Sequence, residues 1–282
     1  MSELPRRTIE ELKTRYFCEP ELYDIYVEGN FDNTIITSWC NKHKESKIVS
    51  YEINTVEIPC EILNKYNLTE GKKQRVVALA KELAHDDFSG YRCLVDKDLE
   101  HWIDELEYVP NLIKTDYCSL ELYYFKEDVI KRIIVEVSGS KILIWDEFFT
   151  SFVDVLKRLY CLRLSGELLK LNLEWIELDK YISFKGSSLI FNNALYAERV
   201  LLKNAKRSRL DEFNLIFDRW LGQLNGDPRF YIRGHDFVKM ISLSNKGFKG
   251  LKNFQDELAI ERLFIAFIDE VQELIDSIIK SL

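Results

Sequence analysis

Apolar positions change their spacing along this chain, and the change divides it near residue 125. Before that point, runs of about five apolar or alternating residues give way repeatedly to stripes spaced three and four apart. The short runs predict strands and the stripes predict helices. Ile9, Leu12, Tyr16 and Phe17 predict a lead-in helix over 6–18, with Thr8 and Glu11 as a capping box and Pro20 beyond its end. A strand follows at 24–28, then a helix at 32–43 that buries Ile35, Ile36, Trp39 and Cys40. Residues 48–53 form the next strand, and Pro59 opens a short helix through residue 63. Gly71-Lys72-Lys73-Gln74-Arg75 leads a helix with Val76, Val77, Leu79, Ala80 and Leu83 inward. Tyr91-Arg92-Cys93-Leu94-Val95 is a third strand, and 112–115, behind Pro110, a fourth. Strand and helix in alternation predict right-handed crossovers and a mostly parallel sheet.

Beyond residue 125 the pattern turns helical. Apolar segments at 128–137 and 146–164 are punctuated by Gly139 and Gly166, and 173–191 mixes β-like pieces around Gly186-Ser187-Ser188. Helices are expected at 193–203, 210–224, 235–243 and 254–279. The last carries Leu258, Leu263, Phe264, Phe267, Ile268, Val271, Leu274, Ile275 and Ile278, a wide stripe suited to core packing or to a partner. The expected architecture is α/β: a mostly parallel sheet flanked by helices over 1–125, and a mainly helical domain over 126–282 for substrate or partner contacts. No internal repeat or low-complexity tract interrupts it.

Composition narrows the setting. The chain has 282 residues, 46% hydrophobic and 30% charged, enough for a sizeable core. No apolar run is long enough to span a bilayer, and Met1-Ser2-Glu3-Leu4-Pro5-Arg6-Arg7 lacks the apolar stretch of a signal peptide. Cys18, Cys40, Cys60, Cys93, Cys118 and Cys161 form no CxxC pair, so reduced core thiols and a cytoplasmic location are expected. A net charge of −8 argues against a general nucleic-acid coat. It leaves room for local basic patches.

The candidate chemistry sits at two strand ends. Asp24-Ile25-Tyr26-Val27-Glu28-Gly29 ends on an acid before a glycine turn, and Val95-Asp96-Lys97-Asp98 ends on acids at i and i+2 about seventy residues later. A strand projects i and i+2 to one face, so Asp96 and Asp98 converge if the extended geometry continues that far. Parallel neighbouring strands would add Glu28 at the carboxyl edge, where open α/β folds bind ligands. Three such carboxylates repel one another unless a cation neutralises them. A hard divalent ion, Mg2+ or Mn2+ in its place, answers that need. Lys97 alternates with the two aspartates and is read as structural. Asp32 either serves the helix dipole or rims the metal site. Lys72, Lys73 and Arg75 either form a solvated helix entry or hold substrate phosphates, and Lys203, Lys206, Arg207 and Arg209 form a second basic run.

These motifs resemble the TOPRIM catalytic domain, the metal-dependent module of primases, type II topoisomerases and overcoming-lysogenization-defect nucleases. The residues that carry the likeness are Val27-Glu28-Gly29, Asp96-Lys97-Asp98 and Thr115-Asp116-Tyr117-Cys118-Ser119-Leu120-Glu121, within the first 125 residues. Over its length the chain most resembles the AriB effectors of the PARIS anti-phage system, to which Arg233-Gly234-His235-Asp236-Phe237 also fits. The resemblance implies a metal-dependent endonuclease with Glu28, Asp96 and Asp98 as catalytic metal ligands and Glu121 as a further metal-site acid. It implies a role for His235 and Asp236 near the site or in positioning the helical half. It also implies transfer RNA as substrate, restraint by an AriA-like ABC ATPase, and a homodimer when active.

The residues themselves leave RNA or DNA open, and leave Glu28 as metal ligand or as proton acceptor. A binding scaffold without turnover and a DNA-directed TOPRIM enzyme are the other classes. His43, His85, His101 and His235 form no zinc pattern, and His85-Asp86-Asp87 reads as an exposed turn. No G-x-S-x-G elbow and no P-loop are present.

Overall fold

A computed structural model describes residues 6–86, 88–103 and 108–281. The leader-free reading of residues 1–5 and the Asp87 end of the turn read at His85 lie outside the described residues. The chain divides into two compact units, Met1–Leu120 with Phe264–Leu282, and Glu121–Leu263.

The first unit is built on four parallel strands: β1 (Tyr23–Val27), β2 (Ile48–Glu52), β3 (Tyr91–Val95) and β4 (Leu112–Lys114). Their order is β2-β1-β3-β4. Tyr23 pairs with Ile48 at the start of β1, Tyr26 with Cys93, and Val95 with Lys114. Its helices are α1 (Ile9–Cys18), α2 (Asn30–His43), α3 (Cys60–Lys65), α4 (Lys72–Leu83) and the short α5 (Glu100–Ile103). The capping box forms as the sequence indicates: the Glu11 amide donates to Thr8 Oγ1 at 3.2 Å and the Thr8 amide to Glu11 Oε2 at 2.7 Å. Every residue of β3 is buried, as a central strand covered on both faces requires. Tyr26, Tyr91, Cys93 and Val95 pack with Leu12, Tyr16, Val76, Leu79 and Leu83. Phe17, expected on the inner face of α1, is instead 80% exposed one residue past the buried Tyr16.

From Phe264 onward the last apolar stripe belongs to this unit, and it is not one straight helix. Phe264 ends α11 (Glu257–Phe264), a 3-10 stretch follows at Ile265–Val271, and α12 (Gln272–Ser281) closes the chain. The break lies at Phe267, with φ −113° and ψ 32°. A stripe this wide exceeds one face of a straight helix, and the break lets Phe264, Phe267, Ile268, Val271 and Ile275 all be buried. The Phe264 ring meets Phe31 of α2, Trp39 Nε1 donates to Gln272 Oε1 at 3.1 Å, and Asp269 pairs with Lys42 and His43. From Phe264 onward the stripe's residues are core, and Phe264, Phe267, Val271 and Ile275 offer no exposed partner surface, whereas Leu258 is exposed. Residues 264–281, read from sequence with the helical domain, therefore group with the first unit and pack on α2.

The second unit is mainly helical. It contains α6 (Glu127–Lys131) continued by a π-helical turn at Arg132–Val137, α7 (Trp145–Leu168), α8 (Asn193–Lys203), α9 (Leu210–Gln223) and α10 (Gly234–Gly247). The β-like pieces form an antiparallel hairpin, β5 (Ile182–Lys185) and β6 (Ser188–Phe191). Gly186 makes its turn at φ 60°. Phe148, Phe152 and Phe237 are fully buried in its core, with Phe248 edge-on to Phe148. Among the described residues no helix is long and apolar enough to cross a membrane. All six cysteines are free; Cys40, Cys93, Cys118 and Cys161 are buried as expected, whereas Cys18 and Cys60 are exposed.

Candidate functional site

In the order β2-β1-β3-β4 the chain departs from β1 first to one side and then to the other. The gap between β1 and β3 is therefore the topological switch point. Glu28 is the first residue past β1, and Asp96 the first past β3. The Asp96 amide donates to Glu28 Oε1 at 3.0 Å, so these two motif acids meet at that crevice. Gly29 beside them is extended, at φ −145°, and its Asp32 neighbour accepts the Gly29 amide on Oδ2 at 3.1 Å. Asp32 thus closes the N-terminus of α2 and does the work of a helix cap.

Asp98 reaches the site by another route than strand alternation. β3 ends at Val95, and Asp98 stands in the left-handed region at φ 50°, which aspartate tolerates better than most residues. The loop is held by the segment after β4. The Lys97 amide donates to Thr115 Oγ1 at 3.1 Å, the Asp98 amide to Cys118 O at 2.7 Å, and the Leu120 amide to Asp96 Oδ1 at 3.0 Å. Lys97 Nζ donates to Asp116 O at 2.7 Å, the structural role expected of it.

The basic run at the start of α4 divides. Lys73 Nζ lies 2.9 Å from Asp98 Oδ2 and 2.7 Å from Glu100 Oε1, bridging the two carboxylates. Glu100 was not legible as a site acid; its one signal is its place two residues beyond Asp98, at the start of α5. Lys72 is exposed, with its Nζ 3.9 Å from where a Gly29 Cβ would stand, so it borders the same turn. Arg75 turns elsewhere and donates to Asn54 Oδ1 and Val56 O, both at 2.9 Å. Those bonds tie α4 to the segment after β2.

Electrostatics single out Glu28. Burial pushes its carboxyl up to about 7, the Asp96 amide and the Lys73 ammonium oppose the rise, and the charges of Asp98 and Glu100 add to it. Burial also opposes the charge on Lys73, but Asp98 and Glu100 outweigh it and its pKa is raised.

The remaining predicted residues lie in the second unit. Glu121 is on a 3-10 turn, Leu120–Tyr124, and is buried. Its Oε1 is 3.6 Å from Nδ1 of the exposed His235, and its Oε2 is buried without a hydrogen-bond partner. Burial, followed by the charge of Glu121, raises the pKa of Glu261 nearby. Asp236 does not cap α10. Both its oxygens fork onto Arg163 of α7 at 2.5 Å, and the Arg163 guanidinium lies 4.8 Å above the Trp175 ring. Asp236 therefore holds α10 to α7.

Among the described residues, no three His, Cys, Asp or Glu side chains form a ready metal cage. The donor chemistry at the strand ends nevertheless suits a hard cation: all are carboxylate oxygens, and Glu28, Asp98 and Glu100 crowd like charges around one ammonium. No protein-family model matches the chain, and no curated protein matches it.

Proposed function

We propose that the first unit is a TOPRIM-type nuclease centre that hydrolyses phosphodiesters with the help of Mg2+. The observation that carries this reading is the meeting of Glu28 and Asp96 at the switch point, 3.0 Å apart through the Asp96 amide, with Asp98 two residues on. Glu28, Asp96 and Asp98 would hold the ion, and Mn2+ could replace it; when bound it supplies Lewis-acid polarisation of the phosphate. Glu28 serves either as one of these ligands or, with burial pushing its carboxyl up to about 7 in the metal-free fold, as the acceptor of a proton from the attacking water. Lys72 at the rim offers an ammonium to the substrate backbone. The AriB resemblance refines the proposal: the substrate is transfer RNA, an AriA-like ABC ATPase restrains the chain until triggered, and the active form is a cytoplasmic homodimer. The deciding experiment incubates the protein with Mg2+ and labelled transfer RNA or duplex DNA. Transfer RNA cleavage that chelator abolishes and Glu28→Gln eliminates is expected. DNA cleavage instead would reassign the substrate.

One observation favours a second reading, a binding module without turnover. Lys73 already places one positive protein charge between the carboxylates of Asp98 and Glu100. On that reading neither nucleic acid is cut and no divalent ion binds.

A further inference from the structure

We propose that Lys73 is a built-in counter-ion that competes with the divalent cation for Asp98, so that loading the acidic crevice requires its ammonium to let go. The inference rests on the metal-dependent reading above.

Three features of the first unit point to competition. Lys73 occupies the first turn of α4, where a helix end favours negative charge, and Gly71 supplies no side-chain cap there. A cation at that position breaks the local preference, and the carboxylates of Asp98 and Glu100 are what hold it. The ammonium is also well enclosed, with the Lys73 side chain 13% exposed, while the carboxylates of Asp98 and Glu100 that hold it are 39% and 37% exposed and within reach of an ion from solvent. Finally, among the described residues the acids that a metal would need are not gathered into a cage, and Asp98 is engaged by Lys73. Lys73 holds Oδ2 of Asp98 at 2.9 Å, so a divalent ion that takes this oxygen replaces one of the two contacts of the bridge. The released ammonium would then stand in the crevice beside Lys72, available to an anionic phosphate.

The test is calorimetric titration of the full chain with Mn2+, for the wild type, Lys73→Met and Lys72→Met. Lys73→Met should bind Mn2+ about tenfold more tightly, equal to about 1.4 kcal/mol. Lys72→Met removes the same charge near Gly29 but not the bridge, and should stay within about threefold of wild type. Equal tightening in both variants would reduce the effect to diffuse charge and overturn the inference. So would a Lys73→Met affinity at or below that of wild type. A measurement on the unaltered chain guards against misfolding of the variant: acylation of Lys73 by an amine-reactive reagent, read by peptide mass spectrometry, should speed up at saturating Mg2+. An unchanged rate would overturn the competition. If wild type and both variants bind no Mn2+, the metal-dependent reading itself has failed and this inference falls with it. Wild-type binding with no response at Lys73 refutes the inference alone.

Discussion

At the scale of single residues, Glu28 carries the sharpest consequence. Its carboxyl titrates near 4.5 in the unfolded chain and at about 7 in the fold. As pH rises between those values the unfolded chain ionises first, so the native state loses stability across that window and regains none above it. Glu28→Gln keeps an oxygen for the Asp96 amide and removes the charge. In chelator, the variant should be more stable than wild type by on the order of 2 kcal/mol at about pH 8, and indistinguishable at about pH 4. Denaturant unfolding at the two values checks this, and a difference that persists in acid would place the effect outside Glu28 titration. Removing Asp236 has the opposite effect on stability from removing Glu28, because Asp236 is half of a buried fork with Arg163. Asp236→Ala should cost about 3–5 kcal/mol by stranding the guanidinium, and Arg163→Met in the same chain should recover much of it. Urea unfolding of the two variants measures both.

At the scale of elements, local sequence specified most of what formed. Thr8 and Glu11 fixed the start of α1, five-residue apolar runs fixed β1 and β3, and Ile35, Ile36, Trp39 and Cys40 fixed the inner face of α2. Glu28 and Asp96 were legible because each directly follows such a strand. What escaped was set by partners distant in sequence. Asp98 was expected to share a face with Asp96 by extension, but Thr115, eighteen residues beyond Lys97, ties the loop down and lets Asp98 enter the left-handed region. Glu100 had no strand context to mark it, and the break at Phe267 answers to packing against α2 that no local pattern shows. The Thr115 tie makes its own expectation. Thr115→Val leaves the Lys97 amide without its acceptor, a loss of about 1–3 kcal/mol confined to this loop. Hydrogen exchange at Lys97 should quicken while the amides of β1 and β3 keep their protection. Uniform acceleration across the sheet would show instead that Thr115 supports the whole unit.

At the scale of the whole molecule, the question is which apolar surface is left for a partner. The closing stretch looked suitable in sequence because its apolar positions outnumber those of one helical face. In the fold Val271 is fully buried and Ile275 nearly so, within the same unit as the sheet and α2. Val271→Asp in the full chain should therefore act as a core lesion: a buried unpaired charge costing more than about 3 kcal/mol, with loss of soluble folded protein. Leu258 supplies the contrast, being 69% exposed on α11. Leu258→Asp should leave stability within about 0.5 kcal/mol of wild type. Unfolding curves and sizing chromatography on the same two variants separate stability from assembly. A Val271→Asp chain that stays as stable as wild type and changes only its oligomeric size would return the closing stretch to the role of a partner surface. A destabilised Val271→Asp beside a stable Leu258→Asp of altered size would place the contact of the proposed homodimer on the exposed side of α11.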